Sequence, residues 1–421
     1  MSLQSIKIYN QLANHKLFNK SINFDLKRIK LVLKKLGNPE KKLINVINIL
    51  GSDGKYSLLT SLKYFIEANG QTTSAYISPS LKSIKDRFWL GNRYINYAEI
   101  KKTIKLIEKQ KIPLTIFEVL TVIYILNLTN RNNNYNLIEA GALFAKDSTN
   151  IFKFPLIQAV VNINKQHLNF LKKKTLNEVI YQKVGFLNNY TNIYIGQQRA
   201  KTQKKIKFFL RKNMSRKIYS KSWKIIKDRN CYFYKDNWNK IKLNTKFIFS
   251  EGLIKNLAMA VKIALDLKIN KKIIQKTIPN IIFEGRIQYI NKGKLKKYLN
   301  KKEKILIDGC HSKTSAKNFS SYLKSIKTKK FGIWGMTKNK NPEIFIKQFK
   351  NRFEKIIAVP IEGEKNSVSN KYLMKLAKDN NIRSETAKNF KDAIKKISSK
   401  EEKIICIFGS LYLCGNVLNK N

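Results

Sequence analysis

Apolar residues along this chain fall into two rhythms. Short unbroken runs of branched residues predict buried strands, and stretches spaced three and four apart predict helices. Ile6 to Leu36 has helical spacing and predicts one or two helices, ended by Leu36-Gly37-Asn38-Pro39, since proline does not continue a helix. Val46-Ile47-Asn48-Ile49-Leu50 predicts a buried strand that runs into the loop Gly51 to Ser57. Leu58 to Ala68 then has helical periodicity and stops at Asn69-Gly70, a helix-ending pair. The alternation continues with a helix over Ile116 to Leu128, strands over Asn136 to Glu139 and Ala159 to Ile163, and a helix over Leu176 to Phe186. Tyr190 to Thr245 is very basic and lacks a clear period, so short strands and loops are expected there, before a helix over Asn256 to Leu267.

Near Gly285-Arg286 the character changes. Fresh strands are expected over Lys304 to Asp308, Phe331 to Trp334, Lys355 to Val359 and Ile404 to Phe408, with helices between them. Strands separated by helices imply mainly parallel sheets. The expected fold class is therefore α/β, divided near 285–300 into domains 1–290 and 291–421. No internal repeat is visible.

Composition narrows the class. The 421 residues are 43% hydrophobic with a mean hydropathy of −0.36, which fits a soluble globular protein. No run approaches the roughly 18 apolar residues of a membrane helix, and Met1 to Lys20 lacks the apolar core of a secretory signal. Cys231, Cys310, Cys406 and Cys414 show no metal-ligand spacing, a pattern expected of free thiols in a reducing cytoplasm. The net charge of +57 would draw any polyanion. The lysines, however, are spread over nearly every segment and travel with an excess of Asn and Ile. All three residues have AT-rich codons, so genome bias accounts for the trio, and no specific nucleic-acid partner is expected.

Candidate chemistry begins at Gly51-Ser52-Asp53-Gly54-Lys55-Tyr56-Ser57. Its glycines let backbone N–H groups turn toward phosphates, its lysine supplies a point charge, and the following helix adds a favourable dipole. A strand before it and a helix after it are the context such a loop needs. Glu139, at a strand end before Gly141, stands where a carboxylate can hold magnesium. His167 and His311 follow strands at comparable carboxyl ends. Taken singly, a solvated acid or a surface histidine explains each of these as well.

The succession of motifs resembles the dihydrofolate synthase/folylpolyglutamate synthase family, a branch of the Mur ligases. The motifs are the phosphate loop; Ile77-Ser78-Pro79-Ser80-Leu81 with Asp86-Arg87; Leu114-Thr115-Ile116-Phe117-Glu118; Glu139-Ala140-Gly141 with Asp147-Ser148-Thr149-Asn150; Gln166-His167; Gln182-Lys183-Val184-Gly185; Glu284-Gly285-Arg286; Asp308-Gly309-Cys310-His311-Ser312; and Gly409-Ser410-Leu411-Tyr412-Leu413-Cys414-Gly415. They occur in family order from about Leu36 to Gly415. The resemblance implies a P-loop Mur-ligase domain followed by a smaller Rossmann-like C-terminal domain. It also implies an ATP-dependent ligase: the substrate carboxylate becomes an acyl phosphate, which the amine of L-glutamate attacks. The implied substrates are ATP, glutamate and dihydropteroate or folates, with Mg2+ as cofactor, in a cytoplasmic monomer. Lys55, Lys183 and His167 are implied as catalytic residues, and Ser78, Glu139, His167 and a carbamylated Lys183 as metal ligands. Residues Gly51 to Ser57 with Asn256, Arg286 and Asp308 are implied to contact ATP. The pteroate site is implied to comprise Thr115, Ile116, Phe117, Glu118, Lys146, Asp147 and Ser148. An unmodified Lys183 would be a surface lysine.

Several family positions differ. Asp53 replaces an asparagine and brings a negative charge near triphosphate, which opposes binding by up to a few kcal/mol at about 4 Å. Tyr56 replaces a glycine, Leu143-Phe144-Ala145 a Gly-Gly-Arg, Gln166 an aspartate and Ser312 an asparagine, and Asn341 stands where an aspartate would. Lys55, Ser57, Ser78, Glu139, His167 and Lys183 all keep the family identity. That asymmetry favours an active enzyme over a family member that only binds nucleotide.

Overall fold

The computed structural model describes residues 3–19, 24–228, 231–243 and 250–421. Two compact units are present. Leu3–Thr245 with Leu253–Ile281 form one, and Ile282–Asn421 with the short segment ending at Gly252 form the other.

In the first unit a seven-stranded sheet runs in the order Phe88–Trp89, Thr73–Tyr76, Tyr135–Glu139, Val46–Leu50, Ile157–Val160, Asn192–Ile195, Arg216–Tyr219. Only the first pair is antiparallel. Val46–Leu50 lies at its centre with all five residues buried. A strand covered on both faces has no polar side to show, which is why its sequence is apolar but for the buried Asn48. Ile8, Leu12, Ile29, Leu33, Ile104 and Ile123 belong to one core cluster. Leu50, Val160, Ile180, Ile195 and Ile206 belong to another.

Three expectations need correction. The strand expected over Ala159 to Ile163 is Ile157–Val160; beyond it Val161 still donates to the Leu50 carbonyl, and Asn162 accepts from Ser52 of the phosphate loop. The phosphate-loop helix begins at Lys55, not Leu58, because glycine can take the left-handed cap position directly before it. The basic stretch from Tyr190 holds a helix, Ala200–Phe209, in which only Thr202 and Ile206 are buried. A stripe of two contacts among lysines is too thin to read as a period. That stretch also folds into a three-stranded antiparallel sheet, Lys224–Asp228, Cys231–Lys235 and Lys240–Leu243; residues 229–230 and 244–249 lie outside the described set.

The second unit is a six-stranded sheet in the order Gln288–Ile290, Glu303–Asp308, Lys403–Phe408, Lys330–Trp334, Lys355–Ala358, Ser384–Thr386. Its first pair is antiparallel and the rest are parallel. Among the described residues no helix is long and apolar enough to cross a membrane.

Candidate active site

The phosphate loop leaves the carboxyl end of Val46–Leu50, the end at which parallel sheets place ligands. Gly51 has φ 139° and Gly54 φ 102°, values that favour glycine. A Cβ on Gly54 would stand 2.9 Å from Asn256 Cγ and closer still to its amide nitrogen. Gly54 forms the N-cap of helix Lys55–Ala68 and supplies no side-chain cap, so the positive end of that helix faces the loop. Lys55 Nζ lies 3.5 Å from the carbonyls of Gly51 and Ser52 and 3.6 Å from Glu139 Oε1. Ser57 Oγ donates to the Gly54 carbonyl and accepts from Asn256 Nδ2, both at 2.9 Å. Asn256, on helix Glu251–Asp266, is thereby brought to the loop.

Glu139 is 4% exposed, and its Oε2 accepts the Ser78 backbone N–H at 3.2 Å. The Ser78–Pro79 peptide is cis. The structure thus brings Lys55, Ser78 and Glu139 together. His167 follows a segment that bonds to the loop. It adopts φ 60° at the head of the single turn Leu168–Phe170, its ring stacked 6.3 Å from that of Phe170.

Lys183 is not at the surface, as an unmodified lysine was expected to be: it is 2% exposed. Its Nζ donates to the carbonyls of Gly51 at 2.9 Å and Ala142 at 2.6 Å. Burial, helped by the nearby Lys55 cation, lowers its pKa to about 7. Two accepting carbonyls suit the free amine, and a carbamate would keep one N–H for one of them.

The residues expected at a pteroate site divide into two groups. Thr115 and Glu118 form a reciprocal capping box at the start of helix Ile116–Leu126, and the buried Glu118 carboxylate also meets Arg28 at 3.2 Å. These two side chains are therefore occupied in holding the helix. Ile116 opens that helix, half-buried, and Lys146 is exposed. Phe117 and Asp147 converge on Gly141, where an added Cβ would lie 2.9 Å from the Phe117 ring and 2.5 Å from Asp147 Oδ2. Asp147 accepts from Thr149 N and Oγ1, and burial raises its pKa. Ser148 Oγ bonds Thr121 Oγ1 at 2.6 Å.

In the second unit Asp308 is buried and accepts the N–H groups of Ile287 and Cys310, each at 2.8 Å. Burial raises its pKa against the opposing pull of Arg286. Arg286 Nη1 donates to the Gly285 carbonyl at 3.2 Å. His311 Nδ1 is 2.9 Å from the Gly309 carbonyl, and Ser312 caps helix Lys313–Ser325. A serine caps as well as an asparagine, so this departure keeps the local structure. Arg28 and Asn164 were missed by the sequence reading. Arg28 lies in no motif, and the only signal for Asn164 was its position three residues before His167.

A glycine loop on a central parallel strand, with a lysine–glutamate pair across it, defines a nucleotide-phosphate site of the P-loop type. Residues 291–420 match the family model described as dihydrofolate synthetase, C-terminal domain. The chain is 22% identical to dihydrofolate synthetase of Saccharomyces cerevisiae over 94% of this chain and 98% of that one. The structure of Escherichia coli FolC in complex with DHPP and ADP is similar with a TM-score of 0.84, at 18% identity, covering 98% of this chain and 96% of that one. The bifunctional folylpolyglutamate synthase/dihydrofolate synthase of Yersinia pestis, complexed with AMPPNP and Mn ion, is similar with a TM-score of 0.82 at 18% identity, covering 99% and 98%. Over nearly its whole length the chain is thus similar to members of the dihydrofolate synthase/folylpolyglutamate synthase family, and residues 291–420 match that family's C-terminal domain.

Proposed function

We propose that this chain joins L-glutamate to the carboxylate of dihydropteroate, and to that of reduced folates, at the expense of ATP. The observation that carries the reading is Lys55, set in a glycine loop, 3.6 Å from a buried Glu139. The Lys55 ammonium and the loop N–H groups would hold the nucleotide phosphates and stabilise charge on the transferring phosphoryl group. The substrate carboxylate takes that group to become an acyl phosphate; the glutamate amine attacks the acyl carbon, and inorganic phosphate leaves.

The donors near the loop fit a magnesium ion. Among the described residues no group of three or more His, Cys, Asp or Glu could cage a metal. Magnesium is commonly held by one or two carboxylates together with substrate phosphates. Glu139, Ser78 and His167 would hold it, joined by Lys183 only as its carbamate. When bound, the ion supplies neutralisation of phosphate charge. Asn256, beside the phosphate loop, would contact the nucleotide, and Phe117 and Asp147 would bind the flat, polar pterin, with the larger domain carrying ATP. The lysine excess serves no specific nucleic acid, and the enzyme works as a cytoplasmic monomer.

The test is ADP release by the purified chain with Mg-ATP. Release that requires both dihydropteroate and L-glutamate is expected. Release that is indifferent to omission of either would overturn the reading.

A further inference from the structure

Asp53 poses an electrostatic problem. It sits between Gly51 and Gly54 in a loop meant for a triphosphate, and an unengaged carboxylate there would repel the ligand. The hydrogen bonds around it answer the problem. Its Oδ2 accepts from Asn164 Nδ2 at 2.8 Å and from Gln166 Nε2 at 3.0 Å. The backbone supports the same register: Ser52 N–H donates to the Asn162 carbonyl at 2.8 Å, and Asp53 bridges Asn162. The Ser52 hydroxyl donates to the Asn164 carbonyl and accepts from the Asn164 N–H. Loop residues 52–53 are thus fastened to segment 162–166, which leads directly into His167.

We propose that Asn164 and Gln166 are positioning residues for nucleotide binding. Through Asp53 they hold the phosphate loop in register with the histidine-bearing segment, and they keep the Asp53 carboxylate bonded within the protein instead of facing the phosphates. Two amide N–H donors on one carboxylate oxygen make charge-assisted bonds, roughly twice as strong as neutral ones. Neither amide touches substrate; both act through Asp53. The inference rests on the proposed use of this loop for ATP. It adds the reason a negative charge is tolerated in it.

The test exchanges donor and acceptor and reads equilibrium affinity for Mg-ADP, which needs no turnover. Gln166→Glu is isosteric and sets two carboxylates against each other. It is expected to weaken Mg-ADP about tenfold, the cost of losing one charge-assisted hydrogen bond. Adding Asp53→Asn lets an amide meet the new carboxylate and is expected to recover most of the loss. Gln166→Met, which removes the donor without adding charge, should show a smaller loss and also covers the case in which Gln166→Glu does not fold. In steady state the loss should appear in KM for ATP more than in kcat, which a purely structural role would not select. Wild-type affinity in both Gln166 variants, or a double variant no better than Gln166→Glu alone, would overturn the proposal. Absence of Mg-ADP binding in the parent chain would overturn it together with the loop's assignment. Nucleotide binding without ligase turnover would overturn the proposed function and leave the clamp standing on its affinity data.

Discussion

Replacing Gly54 with alanine tests whether this loop conformation is the one that binds nucleotide. Gly54 has φ 102°, and an added Cβ would lie 2.9 Å from Asn256 Cγ and closer to its amide nitrogen. That amide must move, which breaks its 2.9 Å bond to Ser57 Oγ. Gly70 provides the control: its φ is 81°, and nothing lies within 4 Å of its would-be Cβ. Both substitutions incur the left-handed backbone penalty of about 1–2 kcal/mol and share a change in unfolded-chain entropy of about 0.4–1 kcal/mol. Their difference isolates the collision. One net hydrogen bond is about 1 kcal/mol, and overpacking adds about another 1 kcal/mol. Gly54→Ala should therefore lose about 2 kcal/mol more than Gly70→Ala, read as a lower urea midpoint at unchanged slope. It alone should also weaken a nonhydrolysable ATP analogue by about tenfold or more, since it displaces Ser57 and its supporting amide. If the two variants match in both stability and affinity, the Asn256–Ser57–loop arrangement is not what the nucleotide uses.

Glu139→Gln removes the charge facing Lys55 and should lower kcat/KM for glutamate-dependent ADP release by about 100-fold or more while the melting temperature moves little; near-normal turnover would exclude Glu139 from the reaction. Arg28→Met leaves the buried Glu118 carboxylate without its guanidinium and should cost about 2–3 kcal/mol in urea unfolding; Arg28→Met with Glu118→Gln should regain part of it, and an additive loss would count against the pairing. The Arg93 guanidinium holds the Glu99 carboxyl down at about 2, against an ordinary 4.5. The folded carboxyl binds its proton less readily than the unfolded one, so its stabilisation is present above about pH 4.5 and fades as pH falls toward 2. The urea midpoint should therefore drop more between pH 5.5 and 4 in the parent than in Glu99→Gln, and parallel drops would refute that linkage.

The central frame of the protein was legible in one dimension. Val46–Leu50 reads as a buried strand because residues covered on both faces are mostly apolar, and the glycine loop after it reads as a phosphate site because glycine takes the positive φ of its turns at little cost. Glu139 and Asp308 were legible as strand-end carboxylates. The helix Ala200–Phe209 was hidden, since two buried contacts leave almost no periodic trace. Thr115 and Glu118 matched a substrate motif, but their side chains are spent on capping a helix and on Arg28. That distinction depends on which groups meet across 90 residues.

What the sequence determined by itself was local. It marked most of the buried strands and apolar helices, the glycine turns, and which polar types stand at strand ends, because backbone sterics and burial act on neighbours along the chain. Tertiary structure alone decided the electrostatics. Lys183 became a buried donor to Gly51 and Ala142, not a surface charge, and Asp53 became the acceptor of Asn164 and Gln166, not a charge facing phosphate. The energy of a charge is set by the dielectric and the partners around it, and those come from segments about 40 to 130 residues away.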